Sequence, residues 1–152
     1  MTPSSARATA RGDEGSALVE VVWLWMLLLV PLVYVLLTAF DVQRAAYGVS
    51  GAARAAARAY SLAPDEGSAP ARARAAAAVA LRDQRIPADA VSLTVSCQPF
   101  PSNCLAPGST ISVDVRYQVP LPLTPQALDG GRPAVKVEAR HSVAYGTYRE
   151  DR

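Results

Sequence analysis

Glu20 carries the plainest chemical demand in this sequence. It stands at the mouth of VVWLWMLLLVPLVYVLLTAF, Val21–Phe40, a run of twenty residues without a charge. An ionised acid inside a membrane helix costs on the order of 2.5–3.5 kcal/mol at the centre of the span and less near its end, so a carboxylate there calls for a cation. The residues just before it, GSALVE, can supply one. Scission between Gly15 and Ser16 would leave a new α-amino group on Ser16, four residues ahead of Glu20 and on the same face of a helix. Without scission, Glu20 reads as an interfacial acid resting in the headgroup layer.

The other residues with chemical potential point away from catalysis. Cys97 and Cys104 are separated by six residues and lack the CxxC spacing of redox pairs; downstream of a membrane helix they read as one structural disulfide outside the cytoplasm rather than as a metal site. Closing a loop of that size stabilises by about 2.5 kcal/mol on the chain-entropy scaling, a useful amount for a small domain. His141, the single histidine, falls on the apolar side of an alternating segment, and no nucleophile has a base at recognisable spacing. The expectation is a non-enzymatic chain with no cofactor, no metal and no small-molecule substrate. Fifteen Lys and Arg balance thirteen Asp and Glu for a net charge of +2, which leaves no basic footprint for nucleic acid.

These residues need elements to hold them. A helix of twenty residues spans roughly 30 Å, the hydrocarbon thickness of a bilayer, so Val21–Phe40 reads as a single membrane anchor. It is longer than the apolar core of a secretory signal and has no A-x-A-like site behind it, so it is expected to remain in the mature chain. Met1–Gly15 is small and polar without apolar periodicity, as in a leader that is disordered or removed. Pro31 is expected to kink the anchor, and Trp23 and Trp25 to set its depth.

Beyond Asp41 the alanine-rich stretch to Leu62 continues the helix, weakened only by Gly48 and Gly51. Ala39, Val42, Ala46, Val49, Ala53, Ala56 and Tyr60 recur in steps of three and four as a narrow seam opposite Arg44, Arg54 and Arg58. Such a seam packs either on the chain's own sheet or on a partner helix. APDEGSA, residues 63–69, breaks the pattern, and Ser68 with Pro70 starts a second helix expected over Ala71–Arg85, ahead of Pro87. The period then changes to two. Val91–Cys97, Ile111–Val119 and Val135–Val143 alternate apolar with polar residues as three strands, each with one buried face. The first two are joined through the cysteine loop Gln98–Ser109 as an antiparallel pair, whereas Pro120–Pro133 is a longer irregular excursion. The fold class is therefore α+β: a long N-terminal transmembrane helix extending into a soluble alanine-rich helix, a second short helix, and a small three-stranded antiparallel sheet covered by one helix. Its divisions are 1–15 (leader), 16–40 (transmembrane helix) and 41–152 (extracytoplasmic domain).

RGDEGSALVEVVWLWMLLLVP resembles the processed start of prepilin-type proteins, in which a leader ending in Gly precedes a hydrophobic helix with Glu at the fifth mature position. The nearer likeness is to TadE-like proteins of the tight-adherence pilus machinery. It extends more loosely to the alanine- and arginine-rich helix, the paired cysteines in VSLTVSCQPFPSNCLAPGSTISVDVRYQVPL and the final VKVEARHSVAYG. The resemblance implies that a prepilin peptidase cuts between Gly15 and Ser16 on the cytoplasmic face and that Glu20 registers the helix. The product would be a minor pseudopilin of a bacterial type IV pilus, working with other Tad pilus components and pseudopilins in the membrane lipid. Val21 follows Glu20 where major subunits carry an aromatic residue, and a whole domain trails behind, which suits an accessory subunit. Arg7 and Arg11 before the anchor are outnumbered by Arg44, Arg54 and Arg58 after it. The processing signature and the disulfide take precedence over that count and put the N-terminus in the cytoplasm and the C-terminal domain outside.

Overall fold

The computed structural model describes residues 14–121 and 133–148, with side chains from Leu18 onward. Apart from Glu14 and Gly15, the expected leader lies outside the described residues, as do residues 122–132 of the excursion after Pro120. The chain divides into two compact units, Met1–Leu37 and Thr38–Arg152.

In the first unit the described residues are helical and belong to α1, Glu14–Ser61, which contains Pro31. Every side chain from Leu18 to Leu37 is exposed except the half-buried Tyr34. Among the described residues α1 alone is long and apolar enough to cross a membrane.

The second unit is built from the remainder of α1, a second helix α2 (Ala69–Asp83), a short 3-10 turn at Ala88–Ala90, and strands β1 (Val91–Gln98), β2 (Thr110–Pro120) and β3 (Ala134–Ala144). The strands form one antiparallel sheet in the order β1-β2-β3. The α+β layout with a long N-terminal helix, a short second helix and three antiparallel strands is thus present.

The sheet sorts its residues as a period of two requires. In register, Cys97 faces Ile111 and Val91 faces Tyr117 across β1 and β2, and Ile111 faces Val143, Val113 faces His141 and Val115 faces Ala139 across β2 and β3. Ile111, Val113, Val115 and Val119 of the central strand are buried, with Leu93, Val95, Val137, Ala139 and Val143 packed around them. The opposite face is polar: the Arg140 guanidinium makes two hydrogen bonds to Asp114 at 2.8 and 3.0 Å, Arg116 reaches Glu138 at 3.3 Å, and the hydroxyls of Ser112 and Ser142 meet at 2.8 Å. Such exposed pairs contribute little to stability, about 0–1 kcal/mol each, and serve chiefly to keep this face wet.

Two helices, not one, cover the apolar face. Ala45, Val49, Ala52, Ala53, Ala56, Ala57 and Tyr60 of α1 and Ala69, Ala73, Ala77 and Leu81 of α2 belong to the same buried cluster as the sheet. The expectation of one covering helix missed this because α2 offers mainly alanines, whose burial is hard to tell from plain helix propensity. The boundaries of α2 also differ from Ala71–Arg85. It begins at Ala69 because Pro70, lacking an N–H, is tolerated in the first turn. It ends at Asp83 because Arg85 adopts φ 57°, in the left-handed region. The N–H of Ile86 then donates to the Leu81 carbonyl at 3.0 Å and that of Arg85 to the Arg82 carbonyl at 2.9 Å, and buried Ile86 and Leu81 complete a Schellman end. Arginine at a position that glycine usually fills costs about 1 kcal/mol.

Candidate functional site

The candidate site begins where α1 begins. The Gly15–Ser16 bond lies within α1, beside its first described residue, Glu14. Ser16 and Glu20 are one turn apart on one helical face, about 6 Å along the axis. Glu20 is exposed and makes no ion pair among the described residues. Behind it Leu18, Trp23 and Leu27 are 68%, 67% and 71% exposed. A soluble monomer rarely exposes an apolar surface of this extent, so these side chains require hydrocarbon or another apolar partner. Chemically, the arrangement presents the Gly15–Ser16 peptide bond, an acid one turn later, and an apolar rod beyond it.

The chain matches no protein-family model, no curated protein and no solved structure. What the site can do must be argued from its own residues.

Cys97 and Cys104 form a disulfide with a Cα–Cα distance of 5.3 Å. It closes the turn after β1, and both residues are buried. Within the same loop Gly108 takes φ 82°, and two hydrogen bonds tie the loop to the end of β3: Gly108 N–H to the Tyr145 carbonyl at 3.1 Å and Tyr145 N–H to the Ser109 carbonyl at 2.7 Å.

The alanine seam is divided by the fold. Val49, Ala53, Ala56 and Tyr60 are buried in the domain's own core, whereas Ala46 is exposed. The buried face of α1 also takes in Ala45, Ala52 and Ala57, so it is wider than a single seam and rotated away from Ala46. His141 is half-buried on the inner face of β3 opposite Val113. Among the described residues no three or more His, Cys, Asp or Glu side chains gather as a metal site would require.

One polar residue that the sequence did not single out holds the domain together. Glu66, in the turn between the helices, accepts the Tyr60 hydroxyl on one carboxylate oxygen at 2.6 Å and the Leu105 backbone N–H on the other at 3.1 Å. It thereby links the end of α1 to the disulfide loop. Burial first, then the hydrogen bond to Glu66 and its negative charge, push the Tyr60 phenol well above its ordinary value. Nearby, the Ser68 backbone N–H and then its hydroxyl hold the Asp65 carboxyl below the usual carboxylate range, at 2.8 and 3.0 Å. The only signal in the sequence was the acid pair Asp65-Glu66 in a turn, where solvated charge is the usual reading.

Proposed function

We propose that this chain is a membrane-anchored minor pseudopilin, similar to TadE-like proteins, that takes part in assembling tight-adherence type IV pili. The observation that carries the reading is Glu20 at the mouth of an apolar run whose side chains are nearly all exposed, five residues after Gly15. A prepilin peptidase cuts between Gly15 and Ser16 on the cytoplasmic side, and the new Ser16 ammonium meets the Glu20 carboxylate of its own or a neighbouring helix. In hydrocarbon that pairing sets the axial register of one helix on the next, because an unpaired carboxylate is costly there. The domain from Thr38 onward stands outside the cytoplasm, where its disulfide persists. Its partners are the peptidase, other Tad pilus components and pseudopilins, and membrane lipid.

Substituting Glu20→Gln removes the charge at nearly constant volume. Membrane insertion is expected to be unchanged and pilus assembly impaired; wild-type piliation in that variant would remove the registry role.

A second reading, an unprocessed membrane-anchored extracytoplasmic binding module with no pilus role, is favoured by one observation. Four of the five seam residues Ala46, Val49, Ala53, Ala56 and Tyr60 are committed to the domain's own core and offer nothing to a partner helix. On that reading the chain keeps its N-terminus uncut.

A further inference from the structure

We propose that the recess between Arg44, which follows the apolar run by four residues in α1, and Arg85 is a docking face for the anionic phosphate headgroups of the bilayer, with Arg44 and Arg85 as the phosphate-binding groups. The proposal rests on the membrane anchoring in the reading above and is independent of pilus assembly.

A recess of about 110 Å³ opens in the second unit, lined by Asp41, Arg44, Arg85, Ile86, Tyr117 and Pro120 among others. Asp41 is the residue after Phe40, which ends the apolar run and is 64% exposed, and Arg44 follows less than one turn later. At 1.5 Å per residue Arg44 lies about 6 Å beyond Phe40, within the 5–7 Å depth of a headgroup layer. A membrane-anchored chain carries this recess at phosphate level.

The chemistry fits that level. Arg85 is exposed and makes no ion pair among the described residues. Its guanidinium fork suits two oxygens of one phosphate, and its carbon stem can lie along an apolar wall such as Tyr117 provides. Arg44 is joined to Asp41 at 2.9 Å, but both side chains are over 40% exposed, and so open a pair exchanges readily for a phosphate. Lys136 lies at the same end of the sheet, paired in register with Gln118, and also makes no ion pair among the described residues. Of the carboxylates there, Glu138 is engaged by Arg116 and Asp41 by Arg44, which leaves Asp83 at the end of α2 and Asp89 ahead of β1. The backbone of Arg85 adds an independent point: a cation occupies the left-handed position that glycine or asparagine fills more easily. The Schellman end consequently presents a long cationic side chain from a fixed backbone.

The test uses the full chain in nanodiscs of phosphatidylcholine alone and of phosphatidylcholine mixed with phosphatidylglycerol, read by amide hydrogen exchange at Arg82–Ile86 and Tyr117–Val119. Exchange is expected to be about fivefold slower in the anionic discs, the effect of one basic residue held at an anionic surface. Arg85→Gly and Arg85→Asn should abolish that difference while leaving the thermal midpoint in detergent equal or higher, because both residues accept the left-handed backbone. Equal exchange in the two lipids would overturn the proposal, as would full retention of the difference in Arg85→Gly. Inorganic phosphate producing the same protection in detergent would overturn it too, by making the recess a free-anion site. None of these outcomes bears on the mature N-terminus, so the docking face and the pseudopilin reading fail separately.

Discussion

Glu66 has both carboxylate oxygens committed to donors on different parts of the chain, and its replacement shows how much one turn residue can hold. Glutamine can keep both contacts, its oxygen accepting from the Leu105 N–H and its nitrogen donating to the Tyr60 hydroxyl, so the informative change is Glu66→Ala, which leaves the Leu105 N–H and the Tyr60 hydroxyl without their acceptor. Leaving one part-buried donor unmet costs about 1–3 kcal/mol, a loss readable from chemical denaturation of the full chain in detergent. Tyr60 gives the matching pH dependence. Its folded value lies above its unfolded value near 10, so the stability it contributes is complete below about pH 10 and falls as the pH rises toward the folded value. Tyr60→Phe should lower stability at neutral pH and flatten the decline above pH 10; an equally steep alkaline decline in the variant would show that Tyr60 does not titrate as its surroundings require.

At the scale of elements, α1 holds two glycines that look alike in sequence and sit in opposite surroundings. A methyl group on Gly48 would lie 2.5 Å from Ile86 Cδ1 and 3.1 Å from Gln84 Cβ, whereas one on Gly51 would meet nothing within 4 Å. Gly48 is where α1 passes the residues after α2, and a methyl group there has to displace the tip of the buried Ile86 side chain and press on Gln84. Alanine gains up to about 1 kcal/mol of helix propensity at either position, but crowding costs about 1–3 kcal/mol at Gly48. Thermal unfolding should therefore show Gly51→Ala more stable than wild type and Gly48→Ala less stable; stabilisation by both would contradict the close approach. The sequence could not separate the two, because both simply interrupt an alanine-rich helix. It was far more explicit about the strands. The alternation in Val91–Cys97, Ile111–Val119 and Val135–Val143 survives within one residue at each strand end, since a period of two binds every side chain to one face. The buried face of α1 was harder to read, because alanine marks helix propensity and burial equally well: Ala46 is out while Ala45, Ala52 and Ala57 are in. Glu66 was hidden for a different reason. Its partner N–H belongs to Leu105, thirty-nine residues along the chain, and local pattern carries no trace of such a bond.

The whole molecule joins two regimes of solvent through one helix. Up to Leu37 α1 exposes nearly all its side chains and suits hydrocarbon; from Thr38 on, its alanines and Tyr60 contribute to a stapled α+β core. The disulfide, the polar outer face of the sheet and the Glu66 bridge all lie in the second unit. The first unit carries the carboxylate of Glu20 and the bond between Gly15 and Ser16, and the proposed function depends on what happens to that bond. The most direct measurement is the intact mass and N-terminal sequence of the protein recovered from the membranes of its own host, with and without the prepilin peptidase. A processed pseudopilin begins at Ser16 only when the enzyme is present. A chain that still carries Met1–Gly15 with the enzyme present would contradict the account, leaving Glu20 as an interfacial acid and the domain as an anchored binding module.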